Sequence, residues 1–280
     1  PAKPSFGEIA TVSLDVSNEG TDLISGMEVV IFSDQNHNNS MEPEEILRNT
    51  PAISLAPGVS SRIMLSWTIK AYGTQRIGIL LSHPDDEYPN NNLRFHTIHV
   101  SFSTSAMVIN EIMFDPDDDQ AEWLELYNRS DFDVDLQNWT IETADSTKKK
   151  PLETSFLFVP AGQYVILTAD TTRFADQYDS QGFHTIKPVG AWSALLNSGT
   201  TITLRDLTGK VMDQVVYDGA WSDRRGRSIE RIHPDMLSSL EQSWGPSSSE
   251  NGGTPGWQNS LYAVRIPSTL DVNIAPNPFS

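Results

Sequence analysis

The feature that most constrains this chain is a period-two alternation of apolar and polar residues, repeated along most of its length. Val12, Leu14 and Val16 alternate with Ser13, Asp15 and Ser17; Ile63, Leu65, Trp67 and Ile69 carry the same rhythm, and so do Ile77, Ile79 and Leu81. Successive side chains of a strand point to opposite faces, so each run predicts a strand with one face on a core and one in water. Turn signals separate the runs at Asn18-Glu19-Gly20, Ala56-Pro57-Gly58, Tyr72-Gly73 and Pro89 to Asn92.

No amphipathic helix is legible before Val100, and about seven short strands in roughly 100 residues is the arithmetic of an antiparallel sandwich of immunoglobulin type. The small polar stretch Ser101 to Ala106 marks a boundary. Beyond it the alternation resumes at Met107 to Phe114, Trp123 to Asn128, Trp139 to Glu142, Tyr164 to Leu167, Thr201 to Arg205, Val211 to Tyr217 and Ser228 to Ile232. A short helix fits Thr171 to Tyr178, where Arg173, Phe174, Ala175 and Gln177 lack strand character. From Ser243 onward the composition turns to Ser, Gly, Pro and Asn, as in surface loops. The expected fold class is therefore all-β, two tandem immunoglobulin-like β-sandwiches over residues 1–104 and 105–260, with a linker over 261–280.

Composition narrows the function. With 280 residues the chain can bury two cores, and with no Cys it has no disulfide, thiolate metal site or Cys nucleophile. Lys and Arg number 19 against 37 Asp and Glu, so the net charge is 19 − 37 = −18. Both halves share the excess: 6 basic and 12 acidic residues up to Ser103, 12 and 24 from Thr104 to Ser260. Long-range repulsion argues against nucleic acid and anionic membranes as partners. No apolar run approaches the roughly 18–20 residues of a membrane helix. Pro1 onward does not read as a signal peptide, and the ends at Pro1 and Ser280 read as those of a segment of something longer.

A set of anchors runs in order through the second half: Val108-Ile109-Asn110-Glu111-Ile112-Met113, Glu122-Trp123-Leu124-Glu125-Leu126-Tyr127-Asn128, Asp135-Leu136 with Trp139-Thr140-Ile141, Pro160-Ala161-Gly162, Leu196-Asn197-Ser198-Gly199, and Gly253-Thr254-Pro255-Gly256. Through them the second domain resembles the lamin tail domain, the immunoglobulin-like module of nuclear lamins and of many secreted bacterial proteins. Trp123 and Trp139 suit the role of core fillers, and Gly199 and Gly256 permit turns that other residues resist. Lys148 to Phe158 and Thr171 to Trp192 read as loop expansions of that domain. The first domain resembles bacterial cell-adhesion-related immunoglobulin-like domains through Val16-Ser17-Asn18-Glu19-Gly20, the loop at Asp34, and Pro84-Asp85-Asp86-Glu87 leading to Asn90-Asn91-Asn92. Ala275-Pro276-Asn277-Pro278-Phe279 is similar to the opening of the C-terminal sorting domains of secreted bacterial proteins.

The sharpest local signal is Asp34-Gln35-Asn36-His37-Asn38-Asn39-Ser40-Met41-Glu42-Pro43-Glu44-Glu45. Oxygen-bearing residues stand at loop positions one, three, five, nine and twelve, the register of an EF-hand-like calcium loop. Side chains of Asp34, Asn36, Asn38, Glu42 and Glu45, with the Ser40 carbonyl, would contribute to the about six to eight oxygens that Ca²⁺ takes. Asn39 stands where Gly is expected, a left-handed position that Asn tolerates, and Pro43 stiffens the exit. The competing expectation is a solvated acidic loop between two strands.

Other clusters carry less. Asp115-Pro116-Asp117-Asp118-Asp119 crowds carboxylates whose repulsion a cation would relieve, but it lacks alternating ligand spacing. Glu111, Glu122 and Glu125 would suit a glycosidase pair, yet compact sandwiches imply no cleft, and hydrogen bonding to nearby backbone is the blander account. His96 and His99, three apart on an expected strand, face opposite ways and make a poor ligand pair. Lys148-Lys149-Lys150 and Arg224-Arg225-Gly226-Arg227 with Arg231, the latter beside Trp221, form the basic clusters; Arg227 and Arg231 are expected to pair with Glu230, Asp223 or the acidic loops. No nucleotide, zinc-protease or hydrolase motif is present in the sequence.

The expectation is thus a non-catalytic binding or spacer module, secreted or at the cell surface. It presents sandwich-end loops to a protein or glycan partner, with calcium stabilisation resting on the Asp34 loop. It has no catalytic residues and no other cofactor. The alternative is an accessory region of a larger secreted hydrolase, a nuclease or protease, since lamin tail domains of bacteria often accompany such enzymes.

Overall fold

In a computed structural model of the chain, residues 4–84, 86, 91–143, 150–178, 184–186 and 194–263 are described. Asp85, Glu87, Pro89, Asn90, Lys148, Lys149, Trp192, most of the linker and the sorting-like segment Ala275–Phe279 lie outside them. The chain divides into two compact units, Pro1–Ser103 with Asp206–Lys210, and Thr104–Arg205 with Val211–Ser280.

The first unit contains β1 (Ile9–Ser17), β2 (Ile24–Ser33), β3 (Ile46–Asn49), β4 (Ile53–Leu55), β5 (Ser60–Thr68), β6 (Gly73–Ser82) and β7 (Leu93–Val100). β1 and β5 pair antiparallel from Ile9↔Thr68 to Ser17↔Ser60; the second sheet has the order β3-β2-β6-β7, with β4 also paired to β2. The alternation explains the layering. Ser13, Asp15 and Ser17 are exposed, while Val12, Leu14 and Val16 pack on Ile63 and Leu65 of β5, Met27, Val29 and Ile31 of β2, Leu55 and Ile77. Two sheets that each present one apolar face bury it against the other. β2 departs from simple alternation because its far end is covered on both faces. Phe32, with no exposed surface, meets Phe95 edge-on at 6.0 Å, and the Arg76 guanidinium lies 3.8 Å over the Phe95 ring.

The second unit contains β8 (Met107–Met113), β9 (Trp123–Asn128), β10 (Val134–Asp135), β11 (Thr140–Glu142), β12 (Lys150–Pro151), β13 (Phe158–Val159), β14 (Tyr164–Thr168), α1 (Thr171–Gln177), β15 (His184–Ile186), β16 (Gly199–Arg205), β17 (Val211–Asp218), β18 (Ile229–Arg231) and β19 (Trp244–Pro246). They form a six-stranded sheet, β15-β14-β9-β8-β18-β19, a four-stranded sheet, β12-β11-β16-β17, and the β10-β13 pair. All residues of β8 are buried, so its sheet is covered on both sides. One cover is α1, capped by Asp170, which accepts from Arg173 N at 3.0 Å. Its Phe174 and the following Tyr178 meet Trp123 edge-on at 5.9 and 5.7 Å. β10, β12, β13, β15 and β19 run two or three residues each, too short for a periodic pattern to announce them.

Both units use one device after a strand. Asn18 follows β1 and is 2% exposed; its Nδ2 donates to Asp22 O and Leu55 O, and its Oδ1 accepts from Gly20 N. Asn128 ends β9 with no exposed surface, and its Nδ2 donates to Phe132 O and Val159 O while Oδ1 accepts from Ser130 N. A carboxamide can donate and accept at once, so a single side chain closes the next loop and ties it to a neighbouring segment. At the start of β16, Gly199 has φ +105° and a Cβ there would lie 2.3 Å from Tyr217 O, so only glycine fits the expected turn.

Candidate functional site

Strand register assembles the most unusual chemistry of the second unit. A register shift between Ile109 and Glu111 in β8 brings Glu111 opposite Glu125 of β9, and on the other side Glu111 faces Glu230 of β18. Three glutamates therefore form a row across three neighbouring strands, each with no exposed surface. Like charges placed directly opposite are destabilising, and a buried carboxylate must be supplied with donors or hold a proton. Both remedies are present. Glu111 Oε1 accepts from Ser228 Oγ at 2.5 Å and Thr254 N at 2.9 Å. Glu125 accepts from Asn110 Nδ2 at 2.7 Å and Gly256 N at 2.6 Å. Glu230 Oε2 accepts from Ser260 Oγ at 2.8 Å and Leu261 N at 2.9 Å.

Burial, reinforced by the charges of Glu125 and Glu230, pushes the Glu111 carboxyl well above the usual carboxylate range. Burial likewise pushes Glu125 up to about 8 against the pull of its hydrogen bonds from Asn110 and Gly256. Thr254 Oγ1 lies 3.1 Å from Glu111 Oε2 and 2.9 Å from Glu230 Oε1. A hydroxyl has one proton, so it donates to one carboxyl and accepts from the other. A proton on Glu111, whose affinity for it burial raises, would let Glu111 Oε2–H donate to Thr254 while Thr254 donates to Glu230.

The donors Thr254, Gly256, Ser260 and Leu261 all belong to one C-terminal loop, so the glutamate row holds that loop onto the sheet. Gly256 has φ +81°, the turn expected of it, and its amide reaches Glu125. Asn259 is also buried and bridges Asn110 O and Arg231 O. Trp257, by contrast, is 68% exposed. Beside this loop a shallow hollow is lined by Tyr127, Tyr164, Arg231, Pro234, Gln258 and Tyr262. Trp244 is buried and Trp221 stacks on it at 6.5 Å, so among the described residues Trp257 is the exposed tryptophan.

The expected sites fall as follows. Glu111 and Glu125 come together, Glu122 does not: its Oε2 accepts from Leu195 N at 3.0 Å, away from the row. Glu230 takes Glu122's place, and it does not pair with Arg227 or Arg231 as the sequence suggests. Arg231 is 2% exposed and pairs with Asp213 at 3.2 Å, while Arg227 reaches Asp223 at 3.5 Å. The signal for Glu230 lies in its neighbours, since Ser228-Ile229-Glu230-Arg231 carries an acid inside an expected strand. The repulsion within Asp115–Asp119 is relieved by a side chain, because Arg225 donates to Asp118 Oδ1 at 2.6 Å and Pro116 O at 2.8 Å. In the Asp34 loop, Asp34 and Glu45 are 1% and 3% exposed, and Asn36, Asn38 and Ser40 are exposed, with Glu42 partly so. Asn36 Nδ2 and Asn38 Nδ2 both donate to Glu42, at 3.0 and 2.9 Å. Among the described residues no three His, Cys, Asp or Glu side chains gather into a metal-holding group.

Residues 101–219 match the family model of the Lamin Tail Domain. Most of that match lies in the second unit, which is similar to the lamin tail domain over those residues. The match ends at Gly219, yet β18 and β19, which follow it in sequence, complete the six-stranded sheet, and the Gly253–Gly256 turn supplies donors to the glutamate row. Among solved structures, the CARDB domain of a Pyrococcus furiosus protein is 19% identical and covers 36% of this chain and 86% of that chain, with a TM-score of 0.29. A DUF4876 family protein from Bacteroides thetaiotaomicron VPI-5482 is 10% identical, covering 90% of this chain and 93% of that chain with a TM-score of 0.33. The class 5 fimbriae chaperone CfaA is 10% identical, covering 78% and 96% with a TM-score of 0.30. No curated protein matches the chain. No helix among the described residues is long and apolar enough to cross a membrane.

Proposed function

We propose that this chain is a non-catalytic binding and spacer module, secreted or at the cell surface, whose lamin tail domain recognises a protein or glycan partner through the loop from Gly253 to Tyr262. The observation that carries the reading is the exposure of Trp257 on a loop hydrogen-bonded into three buried glutamates. An aromatic ring presented on a preorganised backbone loses little entropy on binding, and tryptophan is enriched among the residues that dominate interfaces. The glutamates themselves are unsuited to catalysis. Their oxygens are occupied by the loop, Asn110 and Ser228, and no solvent reaches them, whereas a general acid or nucleophile must touch its substrate. Tyr262, partly exposed and stacked on His233 at 5.2 Å, is a second aromatic ring on the same loop.

A glycan array read alongside capture of extracellular proteins, with tryptophan fluorescence as the solution assay, tests this. Trp257→Ala is expected to weaken binding by about 30-fold or more, the scale of an interface hot spot, while leaving thermal unfolding unchanged. A partner bound equally well by the parent and by Trp257→Ala would remove the loop from the recognition surface.

A further inference from the structure

The first unit contains a second group of buried carboxylates, and these are treated differently from the glutamate row. Every carboxyl of that row finds donors, but Asp34 Oδ1 and Glu45 Oε2 do not. They are the two carboxylate oxygens among the described residues that are buried without a hydrogen-bond partner. Their sister oxygens are engaged: Asp34 Oδ2 takes Arg76 Nη1 at 2.8 Å, and Glu45 Oε1 takes Gln35 N at 2.8 Å. An unpaired buried carboxylate oxygen is costly, so native folds rarely leave one without a donor or an ion. Here two occur in one twelve-residue loop, at its first and last positions, and Asp34 and Glu45 are 1% and 3% exposed.

We propose that the loop Asp34–Glu45 binds one Ca²⁺, with Asp34 Oδ1 and Glu45 Oε2 as its anionic ligands and with Asn36 Oδ1, Asn38 Oδ1 and the Ser40 carbonyl completing the protein's share. The inference goes beyond the proposed binding role, which rests on the other unit. Glu42 acts here as a positioning residue. By accepting from both carboxamide nitrogens it turns the two Oδ1 atoms the other way, where they accept from Asn38 N at 3.0 Å and Ser40 N at 2.7 Å and each retains a lone pair. Asn39 takes φ +63° at the sixth position, where such loops ordinarily need glycine. The ligand type selects the ion. Only oxygens are offered, two from carboxylates, two from carboxamides and one from the main chain, which suits calcium rather than zinc.

The test is calorimetric titration of CaCl₂ into the whole chelator-treated chain in about 0.1 M KCl, which screens diffuse attraction to its net charge of −18. One Ca²⁺ per chain is expected, and at a hundred times the Kd the melting temperature of the first unit should rise by about 10 °C. Glu45→Gln and, as a variant that leaves the buried carboxylates in place, Asn38→Ala should each weaken binding at least tenfold. Absence of heat and of any melting shift in the parent at millimolar calcium overturns the site. So does parental affinity in both variants, or an equal response to magnesium. None of these results bears on Trp257.

Discussion

Glu111 lies between two other glutamates without solvent contact, and the electrostatic consequence has a definite sign. Burial and the neighbouring carboxylates raise its proton affinity in the folded chain, and burial raises that of Glu125 to about 8. In the unfolded chain both return to the ordinary glutamate range. Between about pH 4.5 and 8 the folded state therefore holds protons that the unfolded state has released, so stability falls as pH rises, by up to about 1.4 kcal/mol per unit for each such group. Thermal unfolding of the second unit is expected to shift downward from pH 5 to pH 8. Glu111→Gln is the isostere of the protonated acid: its amide nitrogen can donate to Thr254 as a carboxyl proton there would. That variant should unfold with a shallower pH dependence, whereas Glu111→Ala, which strands Ser228 and the Thr254 amide, should lose about 2–4 kcal/mol at every pH. A parent whose melting temperature is flat across this range would contradict a protonated Glu111.

At the level of elements, the asparagine device does for each sandwich what a longer loop would do less firmly. Asn128 ends a strand and satisfies two carbonyls and an amide inside the fold. Asn128→Asp keeps the shape and the acceptor but turns both donor contacts into repulsions with Phe132 O and Val159 O, so a loss of about 2–4 kcal/mol is expected by urea unfolding. A loss under about 0.5 kcal/mol would mean that the loop closes without it. The sequence marks both asparagines, one in a turn signal and one in a strand motif of the resembled family. What it does not show is that the side chains turn inward, because that depends on Leu55 and Val159, which are 37 and 31 residues further along the chain.

Across the whole molecule, the net charge of −18 is joined by a specific disposition of the cations. Arg231 is buried against Asp213, Arg225 is spent on Pro116 and Asp118, and Arg227 is turned to Asp223. Trp221 stacks on Trp244 instead of standing beside a free basic cluster. With neither bulk attraction nor an aromatic-basic patch at this point, double-stranded DNA should pass a filter unretained in about 0.1 M salt. Retention that weakens steeply with added salt would mean that the chain presents a basic surface elsewhere.

The alternation by itself determined the all-β class, strands β1, β5 and β6 of the first unit and the longer strands of the second, because a period of two admits one placement of an apolar face. The ordered motifs were enough to point to a lamin tail domain, since they hold its core tryptophans and turn glycines. Tertiary structure alone decided which acids meet. Glu111, Glu125 and Glu230 stand up to 119 residues apart and become neighbours through strand order and one register shift, neither of which composition or spacing encodes. Exposure was decided at the same level: Trp257 and Trp123 are the same residue type, and only the packing of distant segments leaves one in water and the other without any solvent contact.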